Sequence, residues 1–101
     1  DPWLDIPGGL EAMRLYAGDL PVNDWRISPL YGDLSVLPPM LVFSGTHDIL
    51  YPDTELFAGK ARAAGRSVEF VTGERMFHVW PLIDIPEARP ARDRMVAFLS
   101  A

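Results

Sequence analysis

The 101 residues include no cysteine, which removes disulfide frameworks, zinc ribbons and thiol nucleophiles and leaves the redox compartment unread. Basic residues are few, 9 Lys and Arg against 14 Asp and Glu for a net charge of −5. With no basic run, the electrostatic attraction that holds proteins on nucleic acid or anionic lipid is missing, so neither is an expected partner. Long apolar runs are absent as well. Met40-Leu41-Val42-Phe43 falls far short of the roughly 18 residues of a membrane span. Asp1-Pro2-Trp3-Leu4-Asp5 shows no initiator Met, basic segment or apolar leader core. The chain therefore reads as the interior of something longer. No segment fixes a compartment, and a cytoplasmic location is the default expectation.

What the sequence does have is a hydrophobic content of 49% and ten prolines, which suits a folded unit and not a disordered one. Leu10, Met13, Tyr16 and Ala17 fall at helical spacing, predicting a helix over about Gly9 to Ala17 stopped by Gly18. Residues 21–39 contain four prolines and Gly32 and predict an ordered loop with short turns at most. Its length suits a functional or wrapping loop.

Met40 to Ser44 is apolar without alternation, the pattern of a strand covered on both faces, as in a parallel sheet. A helix follows, with Asp53 as its expected N-cap, Leu56, Phe57, Ala61 and Ala64 on one face, and Gly65 as its stop. Ser67 to Thr72 is rich in β-formers but carries Glu69, which suits a strand nearer a sheet edge. A last helix, reached through Pro86 and Pro90, is expected to turn Met95, Val96, Phe98 and Leu99 to a core. The fold class is thus α/β: β-α-β-α with parallel strands, preceded by a helix and a Pro-rich loop.

Two strands and three helices do not make a stable doubly covered sheet. The expectation is that residues 1–101 are the C-terminal segment of one larger α/β domain, with further strands supplied by residues outside the chain.

In open parallel sheets functional groups collect in the loops at the carboxyl ends of strands. Two such loops occur here, Gly45 to Leu50 and Gly73 to Trp80, and they bring Asp48 and His78 to the same rim. A carboxylate bonded to one imidazole nitrogen fixes the tautomer and stabilises the imidazolium formed when the other nitrogen takes a proton. Spacing alone leaves two plainer readings open. Asp48 equally suits a loop carboxylate capping backbone amides, and His78 a half-exposed histidine beside Phe77 and Trp80.

Ser28-Pro29-Leu30, Leu37-Pro38-Pro39 leading into the apolar strand, Gly45-Thr46-His47-Asp48-Ile49-Leu50-Tyr51-Pro52-Asp53, Ala64-Gly65 and Met76-Phe77-His78 follow in order. Together they resemble the C-terminal part of an α/β-hydrolase esterase of the hormone-sensitive-lipase-like group, over nearly the whole chain. The resemblance implies that Asp48 is the acid and His78 the base of a Ser-His-Asp triad acting on small-molecule esters, with no cofactor and no metal. It also implies a homodimer contact through the 67–72 edge strand and the last helix.

The family's nucleophile sits in a G-x-S-x-G elbow, in chain order Ser, Asp, His. None of Ser28, Ser35, Ser44, Ser67 or Ser100 has glycines at both flanking positions, and Ser44 reads as a strand end. The glycine-rich oxyanion loop is also absent, since Gly8-Gly9 after Pro7 looks like a helix start. Both parts are expected before Asp1, and without them the chain should be inactive. The alternative from another class is a noncatalytic binding or interaction module on a hydrolase-like scaffold.

Among the remaining residues, His47, Glu74 and Arg75 read as exposed loop residues. Trp80 and Phe77 suit either a pocket wall or aromatic packing under the histidine loop. Leu10, Met13 and Tyr16 fit core packing better than a substrate-facing helix. His47, Asp48 and His78 offer no ligand-like pair on one element, which argues against a metal site.

Overall fold

A computed structural model describes residues 1–101. Its elements are α1 (Ile6–Ala17), β1 (Met40–Gly45), α2 (Tyr51–Ala63), β2 (Val68–Gly73) and α3 (Ala88–Leu99), with short 3₁₀ turns at Pro29–Tyr31, Leu34–Val36 and Trp80–Leu82. The two strands pair in parallel, from Met40 opposite Val68 to Gly45 opposite Gly73. Two parallel strands and three helices make an α/β arrangement whose sheet is left unclosed.

The register sorts side chains between two faces, because residues opposite one another in a parallel pair point the same way. Phe70, which pairs with Val42, meets Tyr51 of α2 edge-on. On the other face Phe43 meets Trp80 edge-on, and Glu69 accepts a hydrogen bond from Arg94 of α3 at 3.1 Å. Helices therefore lie on both sides of the pair, as the unbroken apolar run of β1 requires.

Alanines line the buried faces of α2, which packs on both strands, and of α3, which packs on the Trp80–Leu82 turn. Ala58 and Ala61 of α2 and Ala88 and Ala91 of α3 are buried, and their small side chains allow close approach to the layer beneath. Met95 and Phe98 continue the α3 stripe at the same spacing and are half-buried. Val96 and Leu99 lie one position off that stripe and are 65% and 83% exposed, contrary to the expectation that they face a core. Leu56 is exposed on α2 for the same reason. Leu10 and Tyr16 of α1 are exposed too, and only Ala17 of that helix is buried, so the packing expected of α1 is not made within this chain.

Helix limits differ at their starts. α1 begins at Ile6, not Gly9, because the Asp5 carboxylate accepts the Gly8 N–H at 2.8 Å and Pro7 is accommodated in the first turn. α2 begins at Tyr51 after Leu50, so Asp53 is not its N-cap. It lies in the first turn, where its charge still favours the helix dipole. The far end of α2 closes as expected at Gly65, with the Gly65 N–H on the Arg62 carbonyl and the Arg66 N–H on the Ala61 carbonyl, both at 2.9 Å.

Only 11 of the 101 residues are buried, and no large side chain is fully enclosed. Met40 to Phe43 are half-buried although their sequence suits complete cover. Sixteen large apolar side chains are exposed, and contiguous apolar surface of this kind marks a face that contacts something else.

Candidate active site

Asp48 and His78 come together. The His78 Nδ1 lies 3.1 Å from one Asp48 carboxylate oxygen and 3.3 Å from the other. The Asp48 side chain is 8% exposed and that of His78 29%. A carboxylate only accepts, so Nδ1 donates this bond, and in the neutral form of the ring the lone pair is then on Nε2. Nε2 has no hydrogen-bond partner within the chain. The same Asp48 carboxylate accepts the Leu50 N–H at 2.8 Å. The Asp48 carboxylate thus touches both an amide of its own loop and the His78 ring.

The loops that carry the pair are clasped where the strands end. The Thr46 N–H donates to the Gly73 carbonyl at 3.0 Å and the His47 N–H to the Met76 carbonyl at 2.9 Å. The Thr46 hydroxyl accepts the Arg75 N–H at 2.7 Å. Gly45 and Gly73 permit this approach. A Cβ on Gly45 would collide with the Met76 carbonyl, and one on Gly73 would lie 2.6 Å from the Trp80 ring. From the other side the Asp1 carboxylate accepts the Ile49 N–H at 3.2 Å, tying the start of the chain to the Asp48 loop.

The chain after His78 is held as tightly. Val79 takes a left-handed conformation with φ 53°, uncommon for a β-branched residue. Trp80 is buried against Phe43, whereas Phe77 is half-buried and stacks at a tilt on the exposed Trp3. His47, Glu74 and Arg75 are exposed, as expected. His47, Asp48 and His78 form no cluster able to hold a metal ion.

A cavity of about 410 Å³ opens beside Asp48, lined by Asp1, Leu4, Ile6, Thr46, His47 and Ile49. His78 does not border it. A larger apolar groove of about 760 Å³, between Trp25, Tyr31, Val36 and Phe57, lies away from the pair. Neither cavity is lined by His78.

The juxtaposition of Asp48 and His78 was expected from the sequence, whereas Thr46 and Asp1 had no individual role there and Gly45 only that of a strand end. Gly45 and Thr46 were visible as part of the G-T-x-D run, whose first two residues turn out to be the clasp. Nothing in the sequence signals Asp1.

A family model described as the alpha/beta hydrolase fold matches residues 1–82. The chain is 39% identical over 82 residues to a triacylglycerol lipase of Mycobacterium tuberculosis, covering 81% of this chain and 18% of the lipase. It is 39% identical over 90 residues to an acetyl-hydrolase of Streptomyces hygroscopicus, covering 87% of this chain and 30% of that protein. Among solved structures, a hormone-sensitive lipase from a metagenome library superposes with a TM-score of 0.93 at 31% identity, over 99% of this chain and 35% of that one. An esterase of the bacterial hormone-sensitive lipase family gives 0.92 at 33%, over 98% and 34%. The chain thus spans less than a third of these two curated relatives, and it belongs to the α/β-hydrolase fold family, in its hormone-sensitive-lipase-like group of esterases and lipases.

Proposed function

We propose that residues 1–101 are the C-terminal segment of a serine carboxylic-ester hydrolase and supply the acid and the base of its triad. The Asp48–His78 bond carries this reading. In the complete enzyme a serine before Asp1 attacks the ester carbonyl. His78 Nε2 takes its proton and later returns it to the leaving alcohol. Asp48 holds the ring in the productive tautomer and stabilises the imidazolium, without itself becoming protonated. Backbone amides upstream hold the oxyanion. Water then attacks the acyl-enzyme with His78 again as base, releasing a carboxylic acid. The reaction draws on no cofactor.

The relatives' names support ester chemistry as the substrate class. The exposed Val96 and Leu99 on α3, beside the edge strand β2, support a self-association surface there in the complete protein. No helix is long and apolar enough to cross a membrane.

A fluorophosphonate probe applied to the full-length protein tests the reading. It is expected to label one serine in a G-x-S-x-G elbow about 80 to 100 residues before Asp1, a distance set by the size of α/β units. Failure to label any serine, or an elbow without its serine, would favour the noncatalytic alternative.

A further inference from the structure

We infer that Thr46 is a positioning residue for the Asp48–His78 pair, acting through the backbone amide of Arg75. The inference rests on the catalytic reading of that pair.

Strand pairing ends at Gly45 and Gly73, yet the two functional side chains stand three and five residues further on. Nothing in a parallel ladder fixes loops beyond its last rung. The second loop turns sharply there, with the Met76 N–H on the Gly73 carbonyl at 3.2 Å and Arg75 in the left-handed region at φ 58°. A non-glycine residue in that region costs about 1 to 2 kcal/mol, so the turn needs support from outside itself. The Thr46 hydroxyl provides it by accepting the Arg75 N–H at 2.7 Å across 29 positions of sequence.

Its placement makes this bond more than a loop staple. Thr46 is two residues before Asp48 and Arg75 three before His78, so the bond joins the two arms that carry the pair. Its backbone partners, Thr46 N–H to Gly73 and His47 N–H to Met76, are available to any residue at those positions. The side-chain bond is available only to a hydroxyl residue. A bond of 3.1 Å between Asp48 and His78 is near the long end of the useful range, and misplacement of a catalytic group by a fraction of an ångström is enough to slow a reaction.

The test uses the full-length enzyme with Thr46→Val, which keeps the side-chain shape and removes the acceptor, and Thr46→Ser, which restores it. Thr46→Val is expected to lower kcat roughly three- to tenfold, the equivalent of one net hydrogen bond, with KM changed less than about twofold. The low-field proton resonance of the His78–Asp48 bond should broaden with it. Thr46→Ser should recover both, a rescue that mere filling of space would not give. Wild-type kcat and resonance in Thr46→Val, or equal impairment in Thr46→Ser, would overturn the inference. Should Thr46→Val not fold, amide exchange in the wild type decides: a protected Arg75 amide supports the latch and an unprotected one overturns it. Asp48→Asn is measured alongside. A large loss there with Thr46→Val at wild-type activity rejects only the latch, whereas near-wild-type turnover in Asp48→Asn rejects the catalytic reading beneath it.

Discussion

Gly45 lies against the Met76 carbonyl so closely that no Cβ fits between them. The contact is backbone to backbone, at the point where the strand leading to Asp48 passes the loop leading to His78. Neither partner can rotate away as a side chain would.

Gly45→Ala should therefore destabilise the protein by about 2 kcal/mol or more, since relief requires a backbone shift. The shift would also separate the loops that carry Asp48 and His78. Urea unfolding and the ester hydrolysis proposed for the full-length protein measure the two effects, and an unchanged midpoint would show that the contact is not fixed.

Val79 gives the opposite expectation. At φ 53° it occupies a conformation that costs a β-branched residue about 1 to 2 kcal/mol and glycine almost nothing. Set against glycine's greater freedom when unfolded, about 0.5 to 1 kcal/mol, Val79→Gly should raise stability by about 0.5 to 1 kcal/mol. The side chain is 38% exposed, so the packing it gives up offsets part of that gain and makes the figure an upper bound. A lowered urea midpoint would mean that Val79 packs against other parts of the protein.

Acid titration offers a third check. The Arg26 guanidinium makes two hydrogen bonds to the Asp24 carboxylate and the Arg26 backbone N–H a third, which together bring the Asp24 pKa down to about 2. A lowered folded-state pKa favours the fold above the ordinary carboxylate range near pH 4, and that contribution disappears as pH falls through about 2. Carboxyl NMR shifts of Asp24 should show this midpoint, and Arg26→Ala should move it upward. An unmoved midpoint would show that Arg26 is not the cause.

The elements themselves were legible because their signals are local. The unbroken Met40–Ser44 run, the Ala64-Gly65 stop and the Pro-rich connector each correspond to a structural feature, within a residue or so of the expected limits. Asp48 and His78 were legible because parallel topology puts successive loops on one rim. Helix starts were less so: Asp5 and Asp53 are equally good capping residues by type, and only the fold selects the first. Val96 and Leu99 were misplaced because hydrophobicity does not show which stripe of a helix meets the sheet. The Thr46–Arg75 bond was out of reach, since it depends on a left-handed turn in a loop 29 residues away.

The chain taken alone should hydrolyse no ester and should bind hydrophobic dyes. Sixteen large apolar side chains are exposed, among them Trp3, Trp25 and Leu99, and none of its serines sits in an elbow. Purified residues 1–101 can be assayed for ester turnover and for anilinonaphthalene sulfonate fluorescence. Turnover would place a nucleophile within these residues.

The central claim is that the Asp48 carboxylate works through His78, and one substitution addresses it. Asp48→Asn in the complete enzyme keeps the shape of the side chain and its capping of Leu50, but no longer holds the imidazole proton on Nδ1 or stabilises the imidazolium. By the behaviour of serine triads, kcat should fall about ten-thousand-fold with the protein still folded. Near-wild-type ester hydrolysis by that variant would contradict the account and leave Asp48 as a loop cap alone.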